Sequence, residues 1–69
     1  MLAKRSINLS GHATSLALES EFWAMLEDMA RADRLSLPAL IRRIDEGRAG
    51  DPLASACRVA ALAWAGTRT

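Results

Sequence analysis

The sequence has 69 residues, 51% of them hydrophobic, and a formal net charge of +1. A chain of this length has room for one small domain, and such domains often gain stability by oligomerising. The surplus of apolar residues favours sharing apolar surface with a partner chain, and the small net charge excludes DNA affinity that rests on bulk positive charge alone.

The sequence carries no pattern typical of an enzyme, a metal site or a cofactor site. It has no phosphate loop and no zinc spacing, and its single histidine, His12, has no cysteine or histidine partner at ligand spacing. The single cysteine, Cys57, lies inside an apolar run, which predicts a buried packing thiol. No apolar run approaches the ~20 residues that cross a bilayer, and no signal peptide opens the chain. We therefore expect a cytoplasmic protein without a membrane segment.

Residues 1–12 admit two interpretations. Lys4 and Arg5 form a short basic segment, followed by an alternating stretch with Ile7 and Leu9 on one face. The first interpretation is an extended arm that could lie on phosphates. The second is the first strand of a hairpin turning at Gly11-His12, which would put Leu9 opposite Thr14 and Ile7 opposite Leu16.

Residues 13–50 are predicted to form the core of the domain, beginning with a strand at residues 14–18. Thr14, Leu16 and Leu18 fall on one face, whereas Ser15 and Ala17 fall on the other. A lone strand leaves its backbone groups unpaired. Pairing with the same strand of a second copy would provide hydrogen-bond partners for the backbone groups along one of its edges.

Two amphipathic helices are predicted to follow this strand. Glu19-Ser20-Glu21 is a start signal for a helix over Phe22–Arg34, in which Trp23 falls beside the apolar stripe and is expected at the core rim or in a dimer contact. Ser36 is a preferred N-cap for the second helix, and Pro38 is tolerated only in a first turn. Gly47 and Gly50 bracket its end.

Residues 51–66 are predicted to form a third helix, with a tail at residues 67–69. Asp51-Pro52 is a cap followed by a proline at the first helical position. The helix is apolar on more than one side, which is typical of a helix that packs on the core and across a dimer. A docking surface for another protein is the alternative.

The order of these motifs resembles the ribbon-helix-helix (Arc/MetJ-like) family of DNA-binding proteins. It is most similar to a bacterial branch of small stand-alone members with a third helix. The resemblance rests on a set of short motifs in order along nearly the whole chain, namely Gly11-His12, Thr14-Ser15, Glu19-Ser20-Glu21-Phe22-Trp23, Leu35-Ser36-Leu37, Ile44-Asp45 and the apolar segment Leu53–Trp64.

The resemblance implies a mainly α fold with a short N-terminal β-strand, assembled as a ribbon-helix-helix homodimer with an additional C-terminal helix. It implies a DNA-binding transcriptional regulator whose ribbon enters the major groove. The DNA-binding residues would be Ala13, Ser15 and Ala17 on the ribbon, Lys4 and Arg5 on phosphates, and Ser36 and Leu37 at a helix N-terminus.

Several features of the sequence differ from those expected of a protein that binds DNA tightly and with strong sequence specificity. Two of the three ribbon positions are alanines, which offer only apolar contact with a thymine methyl group. Pro38 removes one amide near the second helix's start. The alternative function is therefore a protein-interaction module of the same fold, antitoxin-like or an adaptor, with weak or no DNA binding.

Overall fold

The computed structural model describes residues 1–67, which form a β-hairpin followed by three helices. The elements are β1 (Leu2–Leu9), β2 (His12–Glu19), α1 (Ser20–Ala32), α2 (Leu37–Gly47) and α3 (Leu53–Thr67). None of the helices within residues 1–67 is both long enough and apolar enough to cross a membrane.

The hairpin interpretation of the N-terminal segment is confirmed. β1 and β2 pair antiparallel from Leu2–Glu19 to Leu9–His12. Ser10 and Gly11 have φ values of 52° and 93°, the positive pair that a two-residue type I′ turn requires. The Asn8 side-chain oxygen accepts a hydrogen bond from the Gly11 amide at 3.2 Å, which closes the turn.

The register expected from the sequence is wrong by two residues. The turn is Ser10-Gly11 rather than Gly11-His12, so Leu9 pairs with His12 and Ile7 pairs with Thr14. Side chains alternate with a period of two, so a shift of two leaves every side chain on its expected face. β2 also extends beyond residues 14–18, and its partner along one edge comes from its own chain.

The starts of α1 and α2 follow local signals. α1 begins at Ser20, two residues earlier than predicted, after Glu19 in an extended N-cap conformation. The N-cap prediction for α2 is confirmed, because the Ser36 hydroxyl accepts from the Ala39 amide at 3.2 Å. Pro38 occupies the first turn of α2, as predicted.

α1 ends at Ala32 rather than at Arg34, and the reason is a backbone motif. Arg34 has a left-handed φ of 57°. The Leu35 amide donates to the Ala30 carbonyl at 2.8 Å, and the Arg34 amide donates to the Arg31 carbonyl at 3.1 Å. This pair of bonds is a Schellman motif, which usually places glycine in the left-handed position. An arginine fills that position here.

α3 begins at Leu53, one residue later than predicted. The Pro52 carbonyl accepts the first helical hydrogen bond from the Ala56 amide at 2.9 Å, so Pro52 takes the cap position that was assigned to Asp51. The predicted tail starts too early, because Thr67 still belongs to α3. Residues 68 and 69 lie outside the described residues.

One core holds the hairpin and the helices together. Its side chains come from every element, and the fully or almost fully buried ones are Ile7, Leu9, Leu16, Leu18, Trp23, Leu26, Met29, Ala30, Leu40, Ile41, Cys57 and Ala61. Trp23 is 1% exposed, so it belongs to this core rather than to its rim. Cys57 is buried as predicted, and loss of solvent contact raises the pKa of its thiol to about 11.

Candidate nucleic-acid interface

The outer face of the hairpin is a small polar platform. Lys4, Ser6 and Asn8 of β1 are exposed there. Across the strands, Ala17 lies opposite Lys4, Ser15 lies opposite Ser6, and Ala13 lies opposite Asn8. Each alanine of β2 therefore has a longer polar side chain as its neighbour on β1. The β2 positions were predicted from the sequence, but Ser6 and Asn8 were not. These two residues share the outer face with β2 only because β1 pairs with β2 in the hairpin.

The inner face of β1 is fastened to α1. The indole nitrogen of Trp23 donates to the Ala3 carbonyl at 2.7 Å. The Arg5 guanidinium lies 4.5 Å from the centre of the Trp23 ring and pairs with the Glu27 carboxylate at 3.2 Å. Because neighbouring residues of a strand point to opposite faces, these inward contacts turn Lys4 outward.

The structure thus separates Lys4 from Arg5, which the sequence treated as one basic segment. The Arg5 side chain is half-exposed, but its charge already lies against Glu27 and its plane already faces Trp23. The Lys4 side chain lies on the opposite face, beside Ser6 and Ala17.

A second ion pair fixes the junction between β2 and α1. Arg58 of α3 donates to the Glu19 carboxylate at 2.9 Å, and its guanidinium lies 5.8 Å from the centre of the Phe22 ring. The hydrogen bond from Arg58 lowers the pKa of Glu19 below its ordinary value. This contact joins residues far apart in the chain and holds α3 against the base of the ribbon.

The start of α2 carries the other predicted DNA-binding residues. The Ser36 hydroxyl is occupied by the Ala39 amide. The Leu37 amide lies in the first turn, where a helix offers no backbone acceptor, while the Leu37 side chain packs against the core. Pro38 contributes no amide, so this end offers an anion fewer donors than an ordinary helix start.

Most arginines are already paired with carboxylates. The ion pairs are Arg5–Glu27, Arg31–Asp28, Arg43–Asp33, Arg48–Asp45 and Arg58–Glu19. Within residues 1–67, Lys4, Arg34 and Arg42 have no such partner. Arg34 lies in the turn before α2. The sequence gave no reason to single it out, because ion pairing depends on the packed helices.

An apolar surface lies on the side of α3 that faces away from the core. Val59 and Leu62 are 63% and 72% exposed. A shallow groove beside Leu62 is lined by Phe22 and Met25 of α1 and by Ala61 and Ala65 of α3.

The described residues show no cluster suited to a metal ion: no group of three or more His, Cys, Asp or Glu side chains within residues 1–67 is arranged to hold one.

A hairpin with a polar outer face, backed by capped amphipathic helices, defines a small ribbon-type domain. The family model for the ribbon-helix-helix domain matches residues 2–65. The chain therefore belongs to the ribbon-helix-helix family. Domains of this family commonly bind DNA as dimers, in transcription regulation or as antitoxins, and the fold is not typically catalytic. Neither the curated proteins nor the solved structures gave a match to this chain.

Proposed function

We propose that this protein is a homodimeric DNA-binding regulator that places the outer face of its ribbon in the major groove. The observation that carries the proposal is the exposed face formed by Lys4, Ser6 and Ser15, on a chain that belongs to a family of DNA-binding dimers. Together with the resemblance to the bacterial branch of the family, a DNA target would place the protein in the cytoplasm of a bacterial cell.

The proposed dimer forms through β2. The sheet of residues 1–67 has two strands, so β2 is paired along one edge only. An eight-residue strand with an open edge invites pairing with another strand. Pairing with β2 of a second copy would give one continuous sheet with a single polar face, and the partner copy would complete the DNA site.

Base readout by this ribbon should be weak. Ser15 offers one adaptable hydroxyl, and Ala13 and Ala17 offer methyl groups suited to a thymine methyl. A well-placed bidentate contact discriminates between bases by about 1–3 kcal/mol, and these three β2 side chains provide none.

Phosphate contacts would supply most of the affinity. Lys4 and Arg34 have no carboxylate partner within residues 1–67, so we assign both to phosphates. The backbone amide of Leu37 is the third proposed phosphate contact. In this proposal Arg5 is a positioning residue, because Trp23 and Glu27 already engage its guanidinium.

The test is the affinity of the protein for one fixed duplex over a series of salt concentrations, together with sedimentation over a wide dilution range. The proposal expects a dimer whose DNA affinity falls steeply with salt. Each lost cationic phosphate contact should reduce the slope of log affinity against log salt concentration by roughly 0.9. A monomer at micromolar concentration, or no binding at low salt, would contradict the proposal.

A second candidate function is a protein-interaction module of the same fold, antitoxin-like or an adaptor. The exposed Leu62 favours it, because it lines an apolar groove between α1 and α3 that the described part of the chain leaves open, and Val59 is a second exposed apolar side chain on the same helix. Leu62→Glu distinguishes the two functions. The variant should keep DNA binding if the ribbon is the functional surface, and it should lose a protein partner while remaining folded if α3 is.

A further inference from the structure

We infer that β1 is a phosphate-contacting strand, with Lys4 and Ser6 bound to the DNA backbone at the walls of the groove that β2 enters. This inference rests on the proposed function, which already assigns Lys4 to phosphate, and it adds a phosphate contact for Ser6 and a position for the whole of β1 over the groove wall. It concerns the outer face of β1, which carries Lys4, Ser6 and Asn8.

The width of the sheet separates the roles of the two strands. Neighbouring strands lie about 4.8 Å apart, so two hairpins joined by their β2 edges place their β1 strands about 14 Å apart. The major groove is about 12 Å wide. The two β2 strands can therefore lie over the bases, whereas each β1 strand lies over a wall of the groove, where the phosphates are.

The side chains suit this division. Backbone oxygens are contacted mainly by lysine, arginine and small hydroxyl or amide side chains. Lys4 and Ser6 belong to these classes, and Lys4 has no carboxylate partner within residues 1–67. Their neighbours across the strands, Ala17 and Ser15, are short, so β2 can approach the groove floor while the longer Lys4 side chain reaches outward.

The inner contacts of β1 hold this arrangement in place. The Ala3 carbonyl is bound by Trp23 at 2.7 Å, and Arg5 is held by Glu27 at 3.2 Å. Lys4 lies between these two inward residues, so it cannot turn inward without breaking both contacts. Its outward orientation is a property of the free protein and needs no rearrangement on binding.

Three single variants test the inference: Lys4→Ala, Ser6→Ala and, as the matched control on β2, Ser15→Ala. All three positions are exposed, and thermal unfolding checks that each variant remains folded. Asn8 is left unchanged because its side chain also closes the turn. Each variant is measured in two ways, by affinity over a salt series and by selection of bound sequences from a random duplex library.

Lys4→Ala should flatten the logarithmic salt dependence by up to about 1.8, which is one contact of about 0.9 in each subunit. It should leave the selected sequences unchanged. Ser6→Ala should weaken binding to all sequences by the same factor, without changing the salt dependence, because a hydroxyl carries no charge. Ser15→Ala should alter the selected sequences and leave the salt dependence as it is.

Two results would overturn the inference while leaving DNA binding by a β2-paired dimer intact. One is an unchanged salt dependence for Lys4→Ala, and the other is a shift in selected sequences for Ser6→Ala, which would assign β1 to the bases. If the wild-type protein bound no duplex at low salt, the proposed function would fail and this inference would fail with it.

Discussion

The indole nitrogen of Trp23 donates a hydrogen bond to the carbonyl oxygen of Ala3 at 2.7 Å. This contact joins β1 to α1, and the Trp23 side chain that makes it is buried, with 1% of its surface exposed. A buried indole N–H without an acceptor is unfavourable, so Trp23 and β1 stabilise each other. The orientation of the outer ribbon face depends on this bond.

Trp23→Phe should therefore destabilise the protein. Phenylalanine keeps an aromatic ring for Arg5 but leaves the Ala3 carbonyl without its donor, and loss of such a bond typically lowers the free energy of unfolding by about 1–3 kcal/mol. Denaturant unfolding measures the change. Ala24→Ser, at an exposed position of the same helix, is the control and should change stability by less than about 0.5 kcal/mol. Equal stability of Trp23→Phe and wild type would show that the bond does not matter.

The register of β2 predicts opposite effects at adjacent residues. Leu16 is 4% exposed on the inner face, whereas Ser15 is exposed on the outer face. Leu16→Lys buries a charge and should lower the free energy of unfolding by at least the ~2–5 kcal/mol typical of truncating a buried leucine. Ser15→Lys should leave it nearly unchanged. Circular dichroism during thermal unfolding compares them, and reversed effects would mean that the register is off by one residue.

Arg34→Gly should stabilise the protein. Arg34 holds a left-handed φ of 57°, a conformation that costs a residue with a side chain about 1–2 kcal/mol and glycine very little. Glycine also loses more conformational entropy on folding, which offsets part of this difference. The net increase in the free energy of unfolding should be about 0.5–1 kcal/mol. Ala24→Gly, inside α1, is the matched control and should lose about the same amount. Urea unfolding of both variants tests this prediction, and a loss of stability at both positions would contradict it.

The Glu19–Arg58 pair should make stability depend on pH in the acid range. The hydrogen bond from Arg58 lowers the pKa of Glu19 below its ordinary value of 4.5. The contribution of this pair is therefore complete above that ordinary value and is lost as the pH falls through the lowered pKa. Glu19→Gln should be less stable than wild type at neutral pH, and the difference should shrink in acid.

Urea unfolding at a series of pH values measures this difference. Glu46→Gln, at an exposed carboxylate with no ion pair within residues 1–67, is the control. A stability difference for Glu19→Gln that stays constant down to strong acid would show that the ion pair does not contribute.

Removal of α3 should compromise the fold. A chain that ends at Gly50 would lose the side chains of Cys57 and Ala61 from the core and the ion pair from Arg58 to Glu19. It should aggregate or melt at a much lower temperature than the full chain. Calorimetry and light scattering test this. A truncated chain as stable as the full one would make α3 a detachable docking element and would favour the second candidate function.

Local features of the fold were predictable because they depend on residues within a few positions of one another. The Ser36 cap, Pro38 in a first turn and the alternation of Leu16 and Leu18 with Ser15 and Ala17 were all predicted from such neighbours. The choice between Ser10-Gly11 and Gly11-His12 as the turn was not predictable, because both dipeptides suit a hairpin. In the structure the turn is Ser10-Gly11, where both residues have a positive φ and the Asn8 side chain accepts from the Gly11 amide.

The partners of the charged residues depended on the folded chain. Arg5 and Glu27 lie 22 residues apart, and Glu19 and Arg58 lie 39 apart. No local pattern connects residues at such separations. Lys4 and Arg5 are equivalent as adjacent basic residues in the sequence, yet the packing of β1 on Trp23 turns one toward solvent and holds the other against α1. The family could be recognised from the order of short motifs, whereas the basic residues that lack a carboxylate partner within residues 1–67 could be identified only from the packed helices and hairpin.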